Sequence, residues 1–188
     1  MEIMMKQHAL ILAAALALAA HGGAALAVLA PGAKAPAFTA QASQGGQVFD
    51  FDMAQALKKG PVVLYFYPAA FTQGCTIEAR NFAEAIDEYR ALGATVIGVS
   101  ADDIETLKKF SVSECRGKFA VAADADGKIM KAYDAVSDKR PESAKRTSYV
   151  ISPAGEVVYE YTDISPEHHV PNTLKALRAW RASHPSGE

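Results

Sequence analysis

The chain has 188 residues, 50% of them hydrophobic and 21% charged, with a formal net charge of -2. A chain of this length forms about one domain and buries roughly 70% of the surface its unfolded form exposes, so a self-sufficient core is expected. Without a basic excess or stripe, nucleic acid is excluded as a partner, and the short pairs Lys58-Lys59 and Lys108-Lys109 read as solvated faces.

Residues 1–27 read as a targeting segment. Lys6 supplies the positive end, Ala9 to Ala20 form an apolar run, and Ala25-Leu26-Ala27 fits a signal-peptidase site. The run is shorter than the roughly 20 apolar residues of a membrane span. Cleavage after Ala27 is expected, with Val28-Leu29-Ala30 as a second frame and an uncleaved anchor as the alternative. The mature protein is then periplasmic or secreted, without a membrane partner, and consists of a single domain from residue 28 to 188. Export also changes how the 2 cysteines read, because in an oxidising compartment the simplest role for such a pair is a structural disulfide.

Ser43-Gln44-Gly45-Gly46, between short apolar stretches, predicts a small hairpin. Val62 to Tyr67, bounded by Pro61 and Pro68, is a continuous β-branched and aromatic run, as expected of a strand buried on both faces. From about Cys75 to Leu92, Ile77, Phe82, Ala85, Ile86 and Tyr89 recur at near-helical spacing, with Glu78, Glu84, Asp87 and Glu88 mostly between them. Gly93 ends this helix, and Ala94 to Ser100 forms the next buried strand, giving a parallel strand-helix-strand unit. Asp102 or Asp103 caps a second helix through Phe110, with Cys115 near its end. Phe119 to Ala123 is a short strand, and Gly127 to Asp134 a brief helix. Thr147 to Ser152 and Glu156 to Thr162 flank a turn at Pro153-Ala154-Gly155, and Pro166 opens a last helix carrying Val170, Leu174, Leu177 and Trp180 toward the sheet. This order describes one α/β domain whose mixed central sheet, flanked by helices, resembles the thioredoxin-like type.

Cys75 lies where the first long strand hands over to the first long helix. Strand carboxyl ends are where open α/β sheets bind ligands, and a helix N-terminus offers free N–H groups and partial positive charge. Both favour the thiolate, which is the nucleophilic form of cysteine. On position alone, a reactive thiol and an inert or bridged one stand level.

The string Tyr67-Pro68-Ala69-Ala70-Phe71-Thr72-Gln73-Gly74-Cys75-Thr76-Ile77-Glu78 resembles the active-site loop of the peroxiredoxins, and its Gly-Cys-Thr-x-Glu continuation that of the bacterioferritin comigratory protein (PrxQ) branch. The resemblance implies a thiol peroxidase acting on hydrogen peroxide or organic hydroperoxides without a cofactor. Cys75 would be the peroxidatic residue, Thr72 would supply a hydroxyl to the peroxide, and Pro68 would shape and shield the loop. Arg146, before the late strand, would hold the thiolate and orient the substrate. A peroxidase of this kind leaves a sulfenic acid that a second thiol must resolve. Many members of the branch place that thiol at the position filled here by Arg80. Others carry it on the following helix, which makes Cys115 the expected resolving residue, with a thioredoxin-like protein or a small thiol as reductant. The branch is often monomeric, and a monomer is expected here.

Two other classes compete. A dithiol oxidoreductase on the same fold carries Cys-x-x-Cys at this junction, but Thr72 stands where the first of those cysteines belongs. A non-catalytic domain with a structural Cys75–Cys115 bridge predicts a disulfide that resists mild reductant. A metal is not expected: His168 and His169 are adjacent and so point to different helix faces, and Asp124-Ala125-Asp126-Gly127 lacks the remaining ligands of a calcium loop.

Overall fold

The structure, a computed structural model, describes residues 28–185; the segment expected to be the targeting signal lies outside them. Seven strands form one sheet: β1 (Thr39–Gln44), β2 (Gln47–Asp52), β3 (Val62–Phe66), β4 (Thr95–Ser100), β5 (Ala120–Ala123), β6 (Thr147–Ile151) and β7 (Val157–Thr162), in the order β2-β1-β5-β4-β3-β6-β7. β3, β4 and β5 run parallel, while β6 pairs antiparallel with β3, and the β1–β2 hairpin adds antiparallel to β5. The expected mixed sheet is therefore present. Five helices accompany it among the described residues: α1 (Met53–Leu57), α2 (Gln73–Ala91), α3 (Ile104–Ser113), α4 (Lys128–Ala132) and α5 (His169–Ser183).

The continuous apolar run of β3 is explained by a separate core on each side of the sheet. Val63, Tyr65 and Tyr67 point into one, with Phe82 and Ile86 of α2, Phe110 of α3 and Leu177 of α5. Val62, Leu64 and Phe66 point into the other, with Met53 of α1 and Met130 of α4. A strand buried on both faces has no position for a polar residue, which is why it reads as unbroken hydrophobicity rather than alternation.

Several boundaries differ from the sequence-based expectation. α1 has no counterpart there, because its five residues are too few to show a period; the Asp52 carboxylate starts it by accepting the Gln55 N–H. α5 begins at His169 rather than at Pro166. Of the two expected candidates, Asp103 is the one that caps α3, through the Thr106 N–H at 2.7 Å. Cys115 lies just beyond that helix, after the C-cap residue Glu114. Asp124 accepts the N–H groups of Ile129 and Met130 and so caps α4, which accounts for the acidic turn there. Trp180 is only half-buried and stacks on His184, with ring centroids 4.8 Å apart. No helix among the described residues is long and apolar enough to cross a membrane.

Candidate active site

β3 ends at Phe66, and the chain then crosses Pro68 and Ala69 to reach α2. Ala70 N–H donates to Asp102 Oδ2 at 2.8 Å, and the same oxygen accepts Ser100 Oγ at 2.7 Å, so the end of β4 holds this loop. Ser143 Oγ adds a bond to the Pro68 carbonyl at 2.9 Å. Phe71 has left-handed backbone, φ 63°, and its ring meets Phe110 of α3 edge-on at 5.2 Å. Thr72 is the extended N-cap of α2, and Cys75 falls in that helix's first turn. The free N–H groups and partial positive charge expected beside the sulfur are therefore in place.

Cys75 is 1% exposed, and Arg146 Nη2 donates to its Sγ at 3.5 Å. Three contacts aim the guanidinium: Nη2 on Cys75, Nε on the Ile164 carbonyl at 2.9 Å, and Nη1 on the Glu78 carboxylate. Burial works against the Arg146 charge, but the neighbouring Glu78 and Cys75 more than offset it and hold the proton more firmly than usual. Gly74 makes the approach possible. A β-carbon there would stand 2.9 Å from Arg146 Nη2.

Glu78 lies one turn after Cys75 and is wholly buried. Burial works to raise its carboxyl, while the Arg146 guanidinium bonded to it works to keep the charge. Its second oxygen faces His169 Nδ1 at 3.5 Å. His169 Nε2 donates to the Asp163 carbonyl at 3.0 Å, which leaves Nδ1 to accept the Ser148 hydroxyl at 2.8 Å. Burial pulls this imidazole down to about 4, so it is neutral near pH 7. Behind Cys75 the order is thus Arg146, Glu78, His169, Ser148.

Cys75 and Arg146 are brought together as the sequence led us to expect. Pro68 is half-buried on the loop, while Thr72 is exposed, with Oγ1 donating to the Ala69 carbonyl at 2.9 Å. Cys115 is fully buried in the same core as Cys75, and both are free thiols. Burial first, and the Glu114 carboxylate second, push the Cys115 thiol up. The sequence pattern misplaced two residues: Glu78 was grouped with the polar positions of α2 but is buried, and Ile77 was given to its apolar face but is 37% exposed. Asp102 was visible only as a possible helix cap and His169 only as a rejected metal ligand, and Ser148 carried no signal, because the bonds Asp102 to Ala70 and Ser148 to His169 join residues far apart in the chain. Gly74 was visible as part of the Gly-Cys-Thr string, without its steric reason.

A family model described as the AhpC/TSA family matches residues 31–160. The chain is 35% identical over 161 residues to the chloroplastic peroxiredoxin Q of Triticum aestivum, covering 85% of this chain and 72% of that one. It is 34% identical over 149 residues to the chloroplastic peroxiredoxin Q of Oryza sativa subsp. japonica, covering 79% and 66%. Among solved structures, peroxidoxin BcpB from Mycobacterium tuberculosis is similar with a TM-score of 0.71 at 28% identity, over 79% of this chain and 96% of that one.

Proposed function

Since the chain belongs to the AhpC/TSA family and is a peroxiredoxin, a thiol-dependent peroxidase, we propose that Cys75 is its peroxidatic thiolate and Cys115 the thiol that resolves it. One observation carries the reading: Arg146 donates to Cys75 Sγ at 3.5 Å in the first turn of α2, with both side chains buried, where charge interactions are stronger than in water.

In the first step the Cys75 thiolate attacks one peroxide oxygen. The O–O bond breaks and the departing oxygen leaves with its electron pair, taking a proton to become water or an alcohol; the sulfur becomes a sulfenic acid. Negative charge moves from sulfur to the leaving oxygen, so donors aligned with that path lower the barrier. Arg146 and the α2 N–H groups supply them, and Thr72 adds its hydroxyl once it releases the Ala69 carbonyl. In the second step Cys115 sulfur bonds to Cys75 sulfur and water leaves. An external reductant, a thioredoxin-like dithiol or two equivalents of a small thiol, then returns the disulfide to two thiols and is itself oxidised to a disulfide.

We assign this cycle to an exported, monomeric protein. The apolar run Ala9 to Ala20 and the small-residue site ending at Ala27 support export. Val28 and Leu29 pack against the core that holds Met53 and Met130, so a cut after Ala27 spares that contact, whereas a cut after Ala30 removes it.

Peroxide consumption with a supplied thiol reductant tests the assignment. Cys75→Ser abolishes turnover, and peptide mapping of peroxide-treated wild type recovers a Cys75–Cys115 disulfide. Full activity in Cys75→Ser overturns the first assignment, and a lasting sulfenic acid or a Cys75–Cys75 dimer overturns the second.

A further inference from the structure

Beyond Ser113 the chain leaves α3 and runs along α2 before entering β5, and its residues alternate. Glu114 accepts Arg80 Nε at 2.8 Å, Arg116 Nη2 donates to Glu84 at 3.3 Å, and the Lys118 carbonyl accepts Arg90 Nη2 at 2.8 Å. Cys115, between the first two contacts, is fully buried. The backbone there is also bent against its preference: Arg116 and Gly117 are left-handed in succession, at φ 52° and 66°. For arginine that conformation costs energy, so its neighbours must hold it.

We propose that Arg80 and Glu84 are positioning residues for the resolving half-reaction: with Glu114 and Arg116 they form a polar latch that keeps Cys115 in the core, and its opening sets how fast the Cys75 sulfenic acid becomes a disulfide. The inference rests on Cys115 as the resolving thiol. Two half-reactions compete for the sulfenic acid. Cys115 converts it to a disulfide with loss of water, whereas a second peroxide oxidises the sulfur to sulfinic acid and is itself reduced to water or an alcohol. A latch that opens slowly favours the second. The α2 residue at the position where many relatives carry their resolving cysteine here holds the alternative cysteine in place from a distance.

The two pairs differ in exposure. In Arg80–Glu114 the carboxylate side chain is 11% exposed, whereas in Arg116–Glu84 the side chains are 48% and 63% exposed. Salt screens the second pair far more than the first.

The test uses the reduced full chain, with one equivalent of hydrogen peroxide followed by acid quench, thiol alkylation and mass spectrometry. In Arg80→Gln and in Glu84→Gln the Cys75–Cys115 disulfide forms about two- to fivefold faster than in wild type, the range expected for loss of one partly exposed ion pair. Under excess peroxide the sulfinic fraction falls correspondingly, and formation of the sulfenic acid keeps its wild-type rate. Combining Arg80→Glu with Glu114→Arg restores slow resolution, which mere loosening of the fold does not predict. Raising salt from about 0.02 M to about 0.5 M speeds resolution in wild type and less so in Glu84→Gln. Wild-type disulfide with equal or slower rates in both variants overturns the latch alone. Absence of a Cys75–Cys115 disulfide in wild type, with sulfenic acid still forming, overturns the assignment of Cys115 and the latch with it.

Discussion

Arg146 and Glu78, separated by 68 positions in the chain, form an ion pair whose side chains are 4% and 0% exposed. A pair so sealed from water is held by its surroundings rather than by its own attraction, since removing two charges from solvent costs about as much as their contact returns. Its value here is directional. Glu78 fixes one guanidinium nitrogen and thereby leaves another pointed at Cys75.

Replacing Arg146 therefore harms both chemistry and fold. Arg146→Gln is expected to lower the rate of Cys75 oxidation about 10²–10³-fold, the usual loss when a donor to developing charge is removed. Competition with a haem peroxidase for hydrogen peroxide measures it. Glu78 is left buried without its cation, so urea denaturation should show a loss of about 3–5 kcal/mol. Arg146→Lys keeps the charge but not the planar fork, and is expected to fall between.

Gly74→Ala separates activity from stability. Alanine suits a helix turn better than glycine by about 1 kcal/mol, yet its β-carbon would stand 2.9 Å from Arg146 Nη2. Because Glu78 and the Ile164 carbonyl hold the other two guanidinium nitrogens, the arm that reaches Cys75 is the one that gives way. Peroxide reduction should drop about tenfold or more while the melting temperature holds or falls only slightly.

Asp102→Ala removes the acceptor shared by Ala70 N–H and Ser100 Oγ. Two donors are left unpaired, and a destabilisation of about 1–3 kcal/mol is expected. The loop before Cys75 loses its tether to β4, so single-turnover oxidation should slow as well. Asp102→Asn, which keeps one acceptor oxygen, is expected to recover most of both.

Acid sensitivity should trace to His169. Burial holds its imidazole down to about 4 against 6.5 for the free side chain. Above pH 6.5 the histidine is neutral whether the chain is folded or not, and its contribution is complete. As the pH falls from 6.5 toward 4, the unfolded chain takes up a proton that the folded one refuses, and on the order of 3 kcal/mol of stability is lost. Urea titrations across this window should show that slope in wild type and a flatter one in His169→Gln.

What could be read from the sequence follows from which signals are local. The β3 run, the α2 period and the Gly93 stop are short-range patterns, and each appears in the fold close to where it was expected. Cys75 was legible because its position and its neighbours lie in one string. Glu78 was not: periodicity sorts polar from apolar, and a carboxylate buried against a distant arginine breaks that rule without leaving a mark. His169 was weighed only as a metal ligand, because nothing around it in the chain announces Ser148 or the Asp163 carbonyl. The end of α3 was drawn three residues short, at Phe110 rather than Ser113, because its true stop, the left-handed pair Arg116 and Gly117, contains only one glycine to mark it.

Phe71 gives the active-site loop a bias of its own. An L residue held at φ 63° carries a penalty on the order of 1–2 kcal/mol, repaid while its ring rests on Phe110 and the next residue but one begins α2. If that ring lifts, the backbone can relax, and the relaxation offsets part of the cost of loosening the helix's first turn. The resting loop is thus loaded like a bent spring at the end nearest the sulfur. Because the catch is an aromatic contact with α3, movement at Cys75 and movement of the helix that leads to Cys115 share one mechanical element.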